Sequence, residues 1–153
     1  MTARINLSAN YLALIQPLID YSRTVSGMGL EESLVNLVEI RASQINGCAV
    51  CLHMHIEEAL KSGESPARLH MLSAWRESSL YSERERAALA WTEALTRLSE
   101  TRAPDDDYAA VAAQFSEDEQ IMLTMKIGAI NAFNKLNVGF RVPATRVGER
   151  KAA

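Results

Sequence analysis

Two cysteines and a histidine that follows them are the residues of this sequence best suited to chemistry. Cys48 and Cys51 are separated by two residues, and His55 follows Cys51 by four. This spacing lets two thiols close into a disulfide or share a metal ion. If a helix begins after Gly47, Cys48 lies in its first turn and Cys51 and His55 are neighbours on one face. The pattern therefore predicts a thiol pair beside a group that can move a proton.

The reactive form of a cysteine is the thiolate, and a helix N-terminus favours it through unpaired N–H groups and partial positive charge. His55 can accept a thiol proton or, as imidazolium, stabilise the thiolate. Thiolate attack on a peroxide oxygen gives a sulfenic acid, which a second thiol converts to a disulfide. Cys48 and Cys51 supply both thiols within reach of each other. The motif therefore predicts a dithiol–disulfide cycle.

Two other interpretations of the cysteines are possible. They could be buried structural residues, since free cysteine is often buried. They could also bind zinc together with His55 and His53. A structural zinc site usually draws its ligand pairs from separated segments, however, and His53 points away from His55 on one helix. We therefore predict no metal, and we expect His53 at the rim and His70 at the surface of a later helix.

Glu39 lies on the helix that precedes the cysteines, in a stretch that otherwise faces the core. A buried carboxylate costs free energy unless it is paired or protonated. One interpretation is a proton relay. The alternative is a salt bridge, for example to Arg41, Arg84 or Arg86.

Composition limits the classes of protein to consider. The chain has 153 residues, of which 48% are apolar and 23% charged, with a net charge of −3. These values fit one globular domain and do not suggest a nucleic-acid partner. The N-terminal residues do not resemble a signal peptide, and no apolar run approaches the roughly 20 residues of a membrane-spanning helix. We expect a cytoplasmic protein, in which a Cys-x-x-Cys pair is more often redox-active or metal-binding than structural.

Helix signals recur along the chain, and no stretch alternates long enough to predict a strand. Ser82-x-x-Glu85 and Ser116-x-x-Glu119 are capping boxes, and Asn46-Gly47 is a stop signal. The periodicity predicts helices at about 8–23, 31–44, 48–62, 67–72, 82–98, 104–115 and 116–136. We therefore predict an all-α, single-domain protein of six to eight helices, with a core over about 8–143 and a frayed tail after Val142.

Three local expectations accompany these helices. Ser8 is placed to cap the first helix, which Pro17 should kink or divide. The segment AWRESSLYS reads as a loop anchored by Trp75, Leu80 and Tyr81. The last helix is apolar nearly all round, which suggests burial by a partner subunit.

The segment SQINGCAVCLHMH resembles the active site of the AhpD-like alkylhydroperoxidases, within the carboxymuconolactone decarboxylase superfamily. The similarity continues through AWRESSLYSERERAALAWTEALT and INAFNKLNVGFR, and covers roughly residues 10 to 143. It implies a helical fold and a homo-oligomer, a trimer or hexamer. It also implies that Cys51 is oxidised by peroxide, that Cys48 resolves it, and that His55 and Glu39 relay protons. Helix electrostatics alone favours Cys48 as the more acidic thiol, and we follow the resemblance.

The chain departs from the best-known members of that family at two positions. They place the acidic residue farther before the first cysteine, where Asn36 lies here, and they carry a histidine where this chain has Val50. Glu93, on a later helix, is therefore a reserve candidate for the relay.

We predict a thiol-dependent peroxidase that reduces small hydroperoxides. No glycine-rich dinucleotide motif or flavin motif is visible, so we expect no bound cofactor. The resemblance implies an external dithiol reductant of the lipoyl or thioredoxin type, carried by a partner protein. Two alternatives remain open: a carboxymuconolactone-type decarboxylase, and a non-enzymatic redox-sensing or metal-binding module.

Overall fold

The chain folds into helices alone over residues 2–144, which are the residues that the structure describes, except for the side chains of Ser8 and Ala9. In this computed structural model the helices are α1 (Leu7–Asn10), α2 (Leu12–Ser26), α3 (Glu32–Asn46), α4 (Ala49–Lys61), α5 (Pro66–Met71), α6 (Glu83–Thr96), α7 (Leu98–Thr101), α8 (Asp105–Gln114) and α9 (Glu117–Gly139). A 3-10 helix, Leu72–Glu77, follows α5 directly.

The predicted all-α class is confirmed. Two of the nine described α-helices, α1 and α7, are single turns of four residues, which leaves seven longer helices within the predicted range of six to eight. The cap expected from the Ser8 side chain lies outside the described residues, as does the tail from residue 145 onward. The trimer or hexamer stays a prediction.

Helix α3 lies at the centre of the fold, where it packs against α4, α6 and α9. Every residue from Leu34 to Ile40 is buried, so this helix is enclosed on all sides. Such enclosure explains its apolar composition, which an amphipathic surface helix would not need. Because Glu39 belongs to the buried run, the fold itself forces that carboxylate to find a partner.

The predicted helix starts at the two capping boxes are confirmed. The Ser82 hydroxyl accepts the Glu85 N–H, the Ser116 hydroxyl accepts the Glu119 N–H, and each glutamate returns the bond to the N–H of its serine. Pro66 occupies the first turn of α5, where the missing N–H costs nothing. These local signals fix where α5, α6 and α9 begin.

Parts of two local expectations were wrong. Helix α2 continues through Pro17, so no second helix begins there, and the break with α1 falls at Tyr11; the kink at Pro17 stays a prediction. The first residues of the predicted loop AWRESSLYS belong to the 3-10 helix. Of its three expected anchors, Trp75 and Tyr81 are buried, whereas Leu80 is exposed.

The last helix, α9, has the unusual length of 23 residues and packs against α2, α3, α4, α6 and α8. It therefore lies beside both α3 and α4, the two helices that the cysteine turn joins. None of the helices within residues 2–144 is both long enough and apolar enough to cross a bilayer.

Two glycines provide a test of the turn between α3 and α4. Gly47 has a left-handed backbone, φ 66°, whereas the exposed Gly128 lies within α9, and a Cβ added at either would meet no atom within 4 Å. Gly47→Ala should therefore destabilise the protein by about 1 kcal/mol through backbone strain alone. Gly128→Ala should stabilise it by about 0.5–1 kcal/mol through helix propensity. Urea denaturation of both variants measures the difference, and equal effects would contradict this account.

Candidate active site

A tight turn places the two cysteines at the start of α4. Gly47 ends α3 in the left-handed conformation, and its N–H donates to the Gln44 carbonyl. The Cys48 N–H donates to the Ser43 carbonyl at 3.0 Å. These bonds satisfy carbonyl groups of the last turn of α3. As a result, the C-terminus of one helix leads within two residues to the N-terminus of the next.

The sulfur atoms of Cys48 and Cys51 are joined in a disulfide, with their Cα atoms 5.4 Å apart. Cys48 is the N-cap of α4, and its Sγ accepts the Cys51 N–H at 3.4 Å. Both cysteines are only 1% exposed and pack with Ala42 and Ile130. The predicted proximity of the two thiols is therefore present. The predicted helix start near Cys48 is confirmed, since α4 begins at Ala49 directly after this cap.

His55 lies one turn after Cys51 and is buried. Its Nδ1 is 2.9 Å from Glu58 Oε2 and 3.4 Å from Glu39 Oε2. A proton on Nδ1 satisfies both carboxylates, which leaves Nε2 as the nitrogen that can take up or release a proton. The structure thus brings Glu39 to His55, as the sequence-based interpretation required.

Glu39 also has the partner that a buried carboxylate needs, but it is not one of the arginines considered from the sequence. Its Oε1 lies 2.8 Å from Nζ of Lys126, and both residues are buried. The ammonium group of Lys126 also donates to the hydroxyls of Ser22, at 3.2 Å, and Ser26, at 2.7 Å. A buried ion pair is tolerated only when its remaining hydrogen-bonding groups are satisfied in this way.

Sequence reasoning missed Lys126. The signal that could have found it is a single lysine within the apolar run MLTMKIGAI of α9, together with two serines four residues apart on α2. A charge inside an apolar helix requires a buried counter-charge, and Glu39 is the corresponding anomaly on α3.

The three arginines that were considered as partners of Glu39 contact other groups. Arg41 pairs with Glu93 at 2.7 Å. Arg84 pairs with two surface glutamates, Glu31 and Glu119, and Arg86 donates to backbone carbonyls at the end of the 3-10 helix.

Glu93, the reserve candidate, belongs to a separate cluster. It accepts hydrogen bonds from Trp75 Nε1 at 2.8 Å and from the Arg41 and Arg76 guanidinium groups. Burial raises the pKa of Glu93, but the bonds from Trp75 and Arg41 outweigh burial and hold that pKa below its usual value. Glu93 thus joins α3, α6 and the 3-10 helix, and the acids at the histidine are Glu39 and Glu58.

A row of asparagines on α9 forms the other wall of the site. Asn137 Nδ2 donates to Cys51 Sγ at 3.3 Å. Asn134 Nδ2 donates to the Ser43 hydroxyl at 3.0 Å, and its oxygen accepts from Asn46 Nδ2 at 2.9 Å. The amide of Asn46 also donates to Asn131 Oδ1 at 2.8 Å. These bonds hold the end of α3 and the cysteine turn against α9.

The remaining candidates lie outside this group. The imidazole of His53 is 3.8 Å from Glu57 at the rim of α4, and His70 is exposed on α5. Asn36 is buried one turn before Glu39, and its Nδ2 has no hydrogen-bond partner among the described residues. Within residues 2–144 no three His, Cys, Asp or Glu side chains are grouped so that they could hold a metal ion.

Comparison with known proteins identifies the family. The sequence profile of the carboxymuconolactone decarboxylase family matches residues 18–94, which is just over half of the chain. The chain belongs to this family. The uncharacterized Bacillus subtilis protein YdfG is 34% identical over 121 residues, which are 79% of this chain and 82% of YdfG.

Two crystal structures are similar in fold. One, from Agrobacterium tumefaciens, is described as a protein of unknown function and a candidate antioxidant defence protein AhpD. It is 40% identical, with a TM-score of 0.91, and the match covers 94% of this chain and 99% of that one. The other is the apo debrominase Bmp8, 18% identical with a TM-score of 0.79 over 88% of this chain and 72% of that one, a likeness of fold alone. The predicted AhpD-like resemblance is confirmed at the level of family and fold.

The buried ion pair can be tested by unfolding. Lys126→Met leaves Glu39 buried without a counter-charge and should cost about 3–5 kcal/mol of stability. Glu39→Gln combined with Lys126→Met removes both charges and should cost less than the sum of the single changes, by about 1–3 kcal/mol. Lys135→Met, at an exposed position of the same helix, is the matched control. Additive effects in urea denaturation would contradict the pairing.

Proposed function

We propose that this protein is a thiol-dependent peroxidase that reduces hydroperoxides through Cys48 and Cys51. One observation carries the proposal: a redox-capable sulfur pair lies one helical turn from an imidazole that two carboxylates orient. A nucleophile, a base and a group that orients the base are the parts that nucleophilic catalysis requires. The observed disulfide corresponds to the oxidised state of the cycle.

In the first step the Cys51 thiolate attacks the terminal oxygen of the peroxide. The O–O bond breaks, and the leaving alkoxide takes a proton from the imidazolium of His55. Cys51 becomes a sulfenic acid and the products include one alcohol molecule, or water when the substrate is hydrogen peroxide. Glu39, held by Lys126, keeps the imidazole oriented while its charge changes.

In the second step the Cys48 thiolate attacks the Cys51 sulfur. The S–O bond breaks, water leaves with a proton returned through His55, and the disulfide forms. An external dithiol then exchanges with this disulfide, so that its two thiols become a disulfide and both cysteines return to thiols. Each cycle consumes one peroxide and one dithiol. We propose a lipoyl or thioredoxin-type carrier as the donor of these electrons.

The similarity to a candidate antioxidant defence protein supports this proposal, because that structure is 40% identical across nearly the whole chain. Decarboxylation, as in other members of the family, is the alternative activity, but that reaction does not require the two thiols. A metal-binding module would need both sulfurs as free thiolates.

Cysteine substitution tests the proposed order of events. Cys51→Ser should consume no peroxide, because the attacking sulfur is absent. Cys48→Ser should consume one equivalent and stop at a sulfenic acid that a dimedone-type reagent traps on Cys51. Peroxide consumption with a dithiol donor and intact-protein mass spectrometry measure both results. The opposite pattern would make Cys48 the attacking residue, and full turnover in both variants would end the proposal.

The relay can be tested on the first step alone. His55→Asn should slow oxidation of the reduced protein by about 10²-fold or more, since general acid–base catalysis typically contributes that much. His53→Asn removes an imidazole two residues away, outside the site, and should leave the rate unchanged. Stopped-flow mixing with hydrogen peroxide gives the rates, with circular dichroism as the check on folding. Equal rates in the two variants would exclude His55 from the chemistry.

A further inference from the structure

We infer that Asn137 is a further catalytic residue, which stabilises Cys51 as the attacking thiolate by donating a hydrogen bond from its side-chain amide to the sulfur. The inference rests on the proposed peroxidase function and names a residue for its first step. Asn137 Nδ2 lies 3.3 Å from Cys51 Sγ. A hydrogen bond from an amide N–H to a sulfur is stronger when the sulfur is a thiolate than when it belongs to a thiol or a disulfide.

The two sulfurs have different donors, and this difference matters for the order of reaction. Cys48 Sγ accepts a backbone N–H at the start of α4, that of Cys51. Helix electrostatics therefore favours a thiolate at Cys48, which is the resolving residue in the proposed cycle. Cys51 lies within the helix, where its own N–H points toward Cys48. Asn137 provides the donor that the backbone does not provide to Cys51.

The two donors also match the two steps in time. While Cys51 attacks the peroxide, the Asn137 amide stabilises its negative charge. When Cys48 attacks the sulfenic acid, the Cys51 N–H stabilises the charge on Cys48. Each thiolate is thus stabilised by a different group at the step in which that thiolate attacks.

The position of the amide is set by the rest of α9. One turn before Asn137, the amide of Asn134 binds the Ser43 hydroxyl and the Asn46 side chain. One turn after it, the Val142 N–H donates to the Asn137 carbonyl at 2.9 Å. The backbone of α9 is therefore fixed on both sides of Asn137, which limits where its half-buried side chain can reach. A pre-positioned donor of this kind costs little reorganisation when charge develops.

The first test follows the ionisation of Cys51 without any peroxide. In a Cys48→Ser background Cys51 is the one remaining cysteine, and the ultraviolet absorbance of its thiolate can be followed against pH. Asn137→Leu removes the donor at similar size and should move the absorbance step to higher pH by about one unit, because the thiolate loses a hydrogen bond that favours its charged form. Asn137→Asp places a carboxylate there and should move the step further in the same direction.

The second test follows the chemistry. At a pH below the absorbance step, Asn137→Leu in the otherwise native protein should slow oxidation by hydrogen peroxide about tenfold, with disulfide formation from the sulfenic acid unchanged. Lys135→Leu, at an exposed position of the same helix, is the control. Thermal unfolding of every variant reports whether the fold is kept.

An absorbance step that stays in place in the folded Asn137→Leu protein would overturn the inference. So would an equal shift in the Lys135→Leu control, since the effect would then belong to the helix and not to the donor. If the native protein reduces no peroxide, the proposed function fails, but the titration still reports whether Asn137 binds the Cys51 thiolate. The two failures are therefore distinguishable.

Discussion

The ion pair between Glu39 and Lys126 is the constraint on which the rest of this structure depends. Both groups are buried, and each is needed to make the burial of the other tolerable. Glu39 comes from α3 and Lys126 from α9, the two serines that complete the ammonium shell come from α2, and the imidazole that meets the carboxylate comes from α4. A shift of any one of these helices would leave the Glu39 carboxylate or the Lys126 ammonium buried without one of its partners. The same interaction therefore fixes the packing of four helices and the orientation of His55.

In the turn between α3 and α4, the backbone groups that start a helix also contact a sulfur of the cysteine pair. Every helix begins with backbone N–H groups that have no partner within the helix. Here the cap is a sulfur, so an N–H group that helix formation leaves unpaired donates to one sulfur of the disulfide. Gly47 makes this possible because only a left-handed residue lets α4 start so soon after α3 ends.

Much of the site could be predicted because its signals are local. The spacing of Cys48, Cys51 and His55 within one helix determines that they are neighbours, and the burial of Glu39 follows from the apolar residues around it. Lys126 and Asn137 could not be found in this way. Their contacts join residues more than 80 positions apart, and such contacts depend on how α9 crosses α3 and α4. Local signals also failed where tertiary packing decides, as at Pro17, which α2 continues through, and at the exposed Leu80.

The near-complete burial of both sulfurs determines what can reach them. A disulfide is broken only when an incoming sulfur lines up with one of its atoms at bonding distance. A reagent that breaks the pair therefore has to bring its reacting atom below the surface of the fold, or the helices around the pair have to move apart. In the proposed cycle this burial keeps chance encounters with other thiols from reducing the disulfide, so that reduction depends on a donor that fits this site.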